Sequence, residues 1–86
     1  MAAIVKTFTT TGQSDSVRVT KGNFDITFAS TGSCAFQKKS GDTWRTVGTY
    51  TTSTVGQAYD FGVPTEVRFD CTDATGNVTV DLRGQG

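Results

Sequence analysis

Three aspartates in the last third of the chain, Asp70, Asp73 and Asp81, come closest in the sequence to a set of residues that could do chemistry. Two carboxylates held near each other can hydrolyse a glycosidic bond or bind a calcium ion. Asp70 and Asp73 bracket the end of a predicted strand, however, and a chain of 86 residues has little room for a substrate cleft. We therefore expect ordinary aspartates in turns and on the solvated face of a sheet, and we predict no catalytic, cofactor-binding or metal-binding residue.

The two cysteines, Cys34 and Cys71, are the other reactive side chains. Both fall at inward-facing positions of predicted strands, so they could form a disulfide or remain buried free thiols that pack as small apolar residues. The N-terminal sequence lacks a signal-peptide pattern, which favours synthesis in a reducing cytosol and therefore the free thiols. A catalytic cysteine would need a general base, and the chain contains no histidine to supply one.

Three aromatic residues, Trp44, Tyr50 and Tyr59, could form a face that binds a sugar or another ligand. The alternative, which we favour, is that the rings pack in the core and only their polar tips reach the surface. Trp44 follows a predicted turn and begins a long strand, so we expect its ring to cover one end of the core. The expected core anchors are Trp44, Phe69, Cys34 and Cys71.

Eight basic and eight acidic residues give a formal net charge of +0. Nucleic-acid-binding proteins normally present a basic face, and membrane-surface proteins a polybasic segment, so the composition argues against both roles. No apolar run approaches the about 20 residues of a membrane-spanning helix. We therefore expect neither a nucleic-acid partner nor a membrane partner. Lys38 and Lys39 are expected at a solvated strand end, with a local basic spot as the alternative.

These side chains are positioned by β-strands, because apolar and polar residues alternate through most of the sequence. The alternation is clear in NFDITFA, EVRFDCT and NVTVDLR, and it is typical of an antiparallel sheet with one buried and one solvated face. Abundant threonine and glycine disfavour helix interiors. The sequence predicts a single all-β domain over residues 1–86, a small antiparallel β-sandwich of about eight short strands with virtually no helix.

Turn residues separate the predicted strands. The last hairpin is expected to close over residues 73–77, with Gly76 at positive φ. A tight connection is also predicted at Lys21-Gly22-Asn23 and a hairpin turn at Ser40-Gly41-Asp42, and Gly62-Val63-Pro64 is expected to precede the seventh strand.

The alternation slips within the strand Trp44–Tyr50, and Gly48 sits inside the slip. A β-bulge near Val47-Gly48 is therefore predicted. The stretch Thr51–Gln57 is the least patterned part of the sequence, and we expect it to be the most mobile loop.

The second half of the chain carries a pattern with a known counterpart. The stretches SGDTWRTVGTYTTS and AYDFGVPTEVRFDCTDATGNVTVDLRG resemble small β-sandwich structural proteins of tailed bacteriophages. The matching pieces are the Trp44 strand, Tyr59-Asp60-Phe61, Val67–Thr72 and Gly76–Gly84, so the resemblance covers Ser40 to Gly84. It implies a virion component, made in the host cytoplasm, without enzymatic activity. Proteins of this kind serve as capsid decoration or cement subunits, as fibre modules, or as tail and connector parts.

A core this small gains stability when further surface is buried against partners. The N-terminal segment Ala2–Thr11 could pair with the sheet edge of a neighbour or within its own sandwich, and the sequence does not separate the two. The candidate interface comprises Ile4, Val5, Thr7, Phe8, Lys38, Lys39, Asp42, Thr52 and Thr54.

Two functions of different class follow from these observations. The first is a decoration or cement subunit that docks on the capsid shell, as a homo-oligomer or as part of a lattice, with the major capsid protein as its partner. The second is a fibre, tail or connector module that contacts other tail or fibre components and binds host-surface carbohydrate through the aromatic residues. An enzyme is not expected, and no cofactor is expected.

Overall fold

The computed structural model describes residues 2–85, and strands account for 77% of them. All pairings are antiparallel, and none of the described residues belongs to a helix that could cross a membrane. The predicted all-β, antiparallel fold is therefore confirmed. The strands are β1 (Ala2–Phe8), β2 (Gly12–Gln13), β3 (Val17–Phe28), β4 (Ser33–Ser40), β5 (Thr43–Tyr50), β6 (Thr54–Asp73) and β7 (Val78–Gln85).

The strands form one strongly bent sheet in the order β1-β7-β3-β6-β4-β5, with the short β2 also paired to β6. The first half of β6 pairs with the second half of β3, whereas the last part of β6 pairs with β4 and β2. Because β3 and β6 both continue through the bend, the two ends of the sheet fold over each other. The result is a sandwich-like body whose two layers share these two strands.

The core lies between the layers and is mainly aromatic. Phe24 of β3 and Phe36 of β4 are fully buried, with 4.6 Å between their ring centroids, although β6 separates the two strands in the sheet. Phe69 of β6 lies 5.3 Å from both rings. Such aromatic contacts add stabilisation beyond the burial of apolar area. They hold the folded-over halves of the sheet together.

The structure has seven strands rather than eight because two predicted connections lie inside continuous strands and the two-residue strand β2 is additional. Lys21-Gly22-Asn23 is not a turn. Gly22 sits within β3, opposite Gly84 of β7 and Tyr59 of β6. A Cβ atom at Gly22 would clash with the Arg83 carbonyl oxygen and with the Tyr59 hydroxyl, so glycine is required here for close strand packing.

The second merged connection is Gly62-Val63-Pro64. On β6, Asp60 pairs with Lys21 and Thr65 pairs with Val19, so residues 61–64 protrude where both strands bend. Gly62 has φ 74°. The segment is therefore a corner within one long strand, β6, which joins the two strands predicted on either side of it.

The hairpin turns lie where the sequence predicted them. Ser40 pairs with Thr43, and Gly41 between them has φ 63°, the arrangement of a type II′ turn. In the last hairpin the residue at positive φ is Asn77 (53°) rather than Gly76. Gly76 is required for another reason, since a side chain there would clash with Ser30.

The predicted bulge in β5 is confirmed. Phe36 pairs with Gly48 while the next residue, Gln37, pairs with Thr46, so Val47 is the extra residue. The expected loop Thr51–Gln57 is shorter than predicted, because β6 begins at Thr54. The remaining loop is attached to β3, since the Phe28 backbone amide donates a hydrogen bond to the Ser53 hydroxyl at 3.0 Å.

Candidate docking surface

Trp44 lies outside the core, and the prediction that it anchors one core end is wrong. Trp44 pairs with Lys39, whereas Tyr50 of the same strand pairs with the buried Cys34. Even spacing would place Trp44 and Tyr50 on one face, but the bulge at Val47 turns Trp44 to the outer face. The indole is only half-buried there. Phe61, in contrast, is partly buried and packs against the core, with its ring centroid 6.2 Å from that of Phe36.

A polar network holds Trp44 on that outer face. The Arg68 guanidinium carbon lies 4.2 Å from the centroid of the Trp44 ring, and the Lys39 ammonium lies 5.9 Å from it. Arg68 also donates from Nε to the Gln37 side-chain oxygen at 2.9 Å. Gln37 in turn donates to the Thr46 hydroxyl at 3.4 Å. We call this group, Gln37, Lys39, Trp44, Thr46 and Arg68, the Trp44 surface.

The opposite side of the same hairpin is also cationic. Lys38 and Arg45 are directly opposite in the β4–β5 ladder. The Lys38 ammonium lies 5.7 Å from the centroid of Phe61, whose ring packs against the core. Lys38 is half-buried and Arg45 is exposed. The end of the hairpin therefore presents cations on both of its faces.

The sequence predicted Lys38 and Lys39 as interface residues and Trp44 as a core anchor, and the structure places all three at this hairpin end. The sequence did not predict Arg68, Gln37 or Arg45 as site residues. Arg68 reaches Trp44 only because β4 lies between β5 and β6, and that neighbour relation is not visible from alternation.

The other aromatic residues do not join Trp44. Tyr50 and Tyr59 both face inward, with ring centroids 5.5 Å and 6.3 Å from that of Phe24. The Tyr59 hydroxyl donates to the Arg83 carbonyl at 3.2 Å, and burial raises the pKa of both phenols. The three rings therefore form no common sugar-binding face.

The N-terminal strand belongs to this chain's own sheet. β1 pairs along its whole length with β7, and Ile4 and Phe8 are buried in the core. These two residues are thus unavailable as interface residues, which corrects the prediction. Val5, at 75% exposure, and the exposed Thr7 remain on the surface of this edge strand.

The remaining candidate interface residues lie apart from one another. Asp42 and Thr52 are exposed. Thr54 is half-buried at the start of β6 and donates to the Thr52 carbonyl at 3.2 Å. Asp42 is in the β4–β5 turn next to the Trp44 surface, whereas Thr52 lies in the loop between β5 and β6.

The aspartates that suggested chemistry serve separate structural purposes. Asp70 accepts a hydrogen bond from Gln13 at 3.2 Å, and Asp81 forms an ion pair with Arg83 at 3.1 Å. Asp73 accepts from the Thr75 hydroxyl and amide, which lowers the pKa of its carboxyl. Among residues 2–85, no group of three or more potential metal-ligating side chains occurs.

The cysteines are neighbours in one ladder. Cys34 of β4 pairs directly with Cys71 of β6, and both are free and fully buried. Burial, with the nearby Cys71 and Asp70 as smaller causes, raises the pKa of Cys34 to about 12. Burial also raises the pKa of Cys71. Both thiols are therefore neutral. They pack in the core, as Phe69 does.

Comparison with protein-family models, curated proteins and solved structures finds no match to this chain.

Proposed function

We propose that the protein is a non-enzymatic docking module, and that it serves as a structural subunit of a tailed-phage particle. The observation that carries the docking role is the placement of Trp44. The single tryptophan of the chain is held on the outer face against Arg68, outside a core that is complete without it. Tryptophan and arginine are the residues most enriched among those that dominate binding energy in protein interfaces.

The position of this group supports docking on a protein surface. Gln37 forms hydrogen bonds with both Arg68 and Thr46, so the side chains of the Trp44 surface are partly ordered in the unbound protein. Preorganisation reduces the entropy lost on binding. β5 is also the last strand of the sheet, so its outer backbone edge is adjacent to the same surface.

The particle assignment is supported by the sequence resemblance. The pieces that resemble phage structural proteins fall on β5, β6 and β7, and they include Trp44 itself. Within such a particle we propose a decoration or cement subunit that docks on the shell, with the major capsid protein as its partner. Many copies would occur per particle, as homo-oligomers or as part of a lattice.

A fibre, tail or connector module is the alternative, with tail or fibre components as partners. Carbohydrate binding by this module had rested on Trp44, Tyr50 and Tyr59 together. The rings of Tyr50 and Tyr59 pack inward, so carbohydrate binding would depend on Trp44 alone.

Copy number in purified particles separates these roles. Particles are purified through two density gradients, and this chain is quantified by mass spectrometry against the most abundant shell protein. A decoration subunit is expected at a copy number comparable to that of the shell protein. A copy number far below that of the shell protein favours the fibre, tail or connector role. Absence from purified particles contradicts the particle assignment altogether.

A further inference from the structure

The end of the β4–β5 hairpin carries a local excess of positive charge, although the whole chain is neutral. Lys38, Lys39 and Arg45 come from the hairpin and Arg68 comes from β6; we call these four residues the basic hairpin end. Among residues 2–85, no carboxylate oxygen lies within 4.0 Å of their charged nitrogens. Asp42 is the only acidic residue between Gln37 and Thr46.

Two of these cations oppose each other directly. Lys38 and Arg45 are cross-strand partners, and like charges in that position destabilise a sheet. Lys38 gains a contact with the Phe61 ring, but that contact leaves both positive charges in place. An anionic partner would relieve the repulsion, so binding and local stability would be coupled.

The shape of this charged region restricts the kind of anion. The last pair between β4 and β6 is Lys38–Val67, so the residues at the end of the hairpin, from Lys39 to Trp44, are not paired with β6. Lys39 and Arg68 lie on the outer face with Trp44, whereas Lys38 lies on the other face beside Phe61. A linear polyanion needs a row of cations along one face. A protein loop can contact both faces of a projecting hairpin and also pack an apolar group on an indole.

We infer that the basic hairpin end binds an acidic loop or chain terminus of a partner protein. Carboxylates of that segment pair with Lys38, Lys39 and Arg45, and an apolar or aromatic side chain packs on Trp44. This inference rests on the proposed docking role, but it does not depend on the assignment to a phage particle.

Trp44 is the single tryptophan of the chain, so its fluorescence reports on this region alone. The probe is a synthetic peptide of glutamates around one phenylalanine, and the control peptide has glutamine in place of each glutamate. The acidic peptide is expected to change the emission of Trp44 in a saturable way. Its affinity should fall on the order of tenfold between about 20 and 200 mM salt, because the contacts are exposed ion pairs.

Matched charge reversals locate the contact. The double variant Lys39→Glu/Arg45→Glu should lose at least on the order of tenfold in affinity, since it replaces attraction by repulsion. The control Lys6→Glu/Lys21→Glu changes net charge equally on β1 and β3 and should keep its affinity within about twofold. Circular dichroism and a thermal melt establish that each variant is folded.

Several results would overturn the inference. An equal loss of affinity in both double variants would show an effect of net charge alone. Binding of dextran sulfate without binding of the glutamate peptide would assign the region to a polysaccharide. If Trp44→Ala abolishes retention on purified particles while Lys39→Glu/Arg45→Glu leaves it intact, the docking role stands and the acidic partner is wrong.

Discussion

Arg68 of β6 stacks against Trp44 of β5 across the intervening strand β4, with 4.2 Å between the guanidinium carbon and the ring centroid. This pair is separate from the aromatic core and lies on the other side of the sheet. Stability and docking are thus assigned to different aromatic residues. Phe24, Phe36 and Phe69 hold the two layers together, whereas Trp44 lies on the outer face, where we propose that a partner contacts it.

Removal of Trp44 should therefore have a small effect on folding. Trp44→Ala removes the stacking of the half-buried indole on Arg68. The expected loss in the free energy of unfolding is about 1 kcal/mol, the size of a cation–π contact at a protein surface. Phe69→Ala, which empties a fully buried site, should cost about 3–5 kcal/mol. Denaturant unfolding of the two variants measures the difference. An equal loss of stability would mean that Trp44 belongs to the core after all.

Deletion of the N-terminal strand should unfold the chain. A variant that lacks residues 2–9 loses the buried side chains of Ile4 and Phe8 and exposes the edge of β7. We expect a disordered spectrum by circular dichroism. The control is Val5→Thr/Thr7→Ser on the exposed positions of β1, which should keep its thermal midpoint within a few degrees. A deleted chain that still melts cooperatively would show that this segment is a detachable arm.

The two cysteines should be protected from alkylation in the folded protein. Burial keeps both thiols neutral at pH 7, and the thiolate is the reactive form. Iodoacetamide is expected to add no label to the native protein and two labels per chain in denaturant without reductant, as measured by intact mass. No label in denaturant would show a Cys34–Cys71 disulfide. Rapid labelling of the native protein would contradict their burial.

The Asp25 carboxylate should contribute to stability at neutral pH but not in acid. The Gly56 backbone amide donates to it at 2.7 Å and Arg83 at 3.1 Å, and these bonds lower its pKa. A lowered folded-state pKa stabilises the fold above the unfolded pKa, and this contribution is lost as pH falls through the folded value. The Asp25 contribution should thus be present near pH 7 and decline progressively as the pH falls below about 4.

Asp25→Asn tests this dependence. The variant is expected to melt at a lower temperature than the parent at pH 7. This difference in melting temperature should narrow as the pH is lowered to about 3, because an aspartate becomes protonated in that range. Asp42→Asn is the matched control, because Asp42 lies exposed in the β4–β5 turn. A gap that stays constant with pH would show that the carboxylate charge of Asp25 does not contribute.

The sequence predicted what depends on neighbours along the chain. Alternation identified the strands, and the slip around Gly48 identified the bulge in β5. The continuity of β3 through Gly22 was not predictable, because glycine serves a turn and a close strand approach equally well. In the structure the choice is made by Tyr59 and by the backbone of β7, which are remote in sequence.

The candidate site was predictable only in part for the same reason. Lys38 and Lys39 were predicted as interface residues, whereas Trp44, on the other side of the same turn, was predicted in the core. Their partner Arg68 depends on the order of strands in the sheet. The face on which Trp44 lies depends on the bulge, whose effect on Trp44 could be worked out only once the pairing of β5 with β4 was known.

The most direct test of the docking role is the retention of Trp44-surface variants on particles. Particles from which this chain has been removed are incubated with purified parent, Trp44→Ala, Arg68→Ala or Val5→Thr/Thr7→Ser, and the bound fraction is measured by sedimentation. We predict that both Trp44-surface variants, while still folded, lose on the order of tenfold or more in affinity, as expected for interface hot spots. The β1 variant should bind like the parent. Full retention of folded Trp44→Ala and Arg68→Ala would contradict the account.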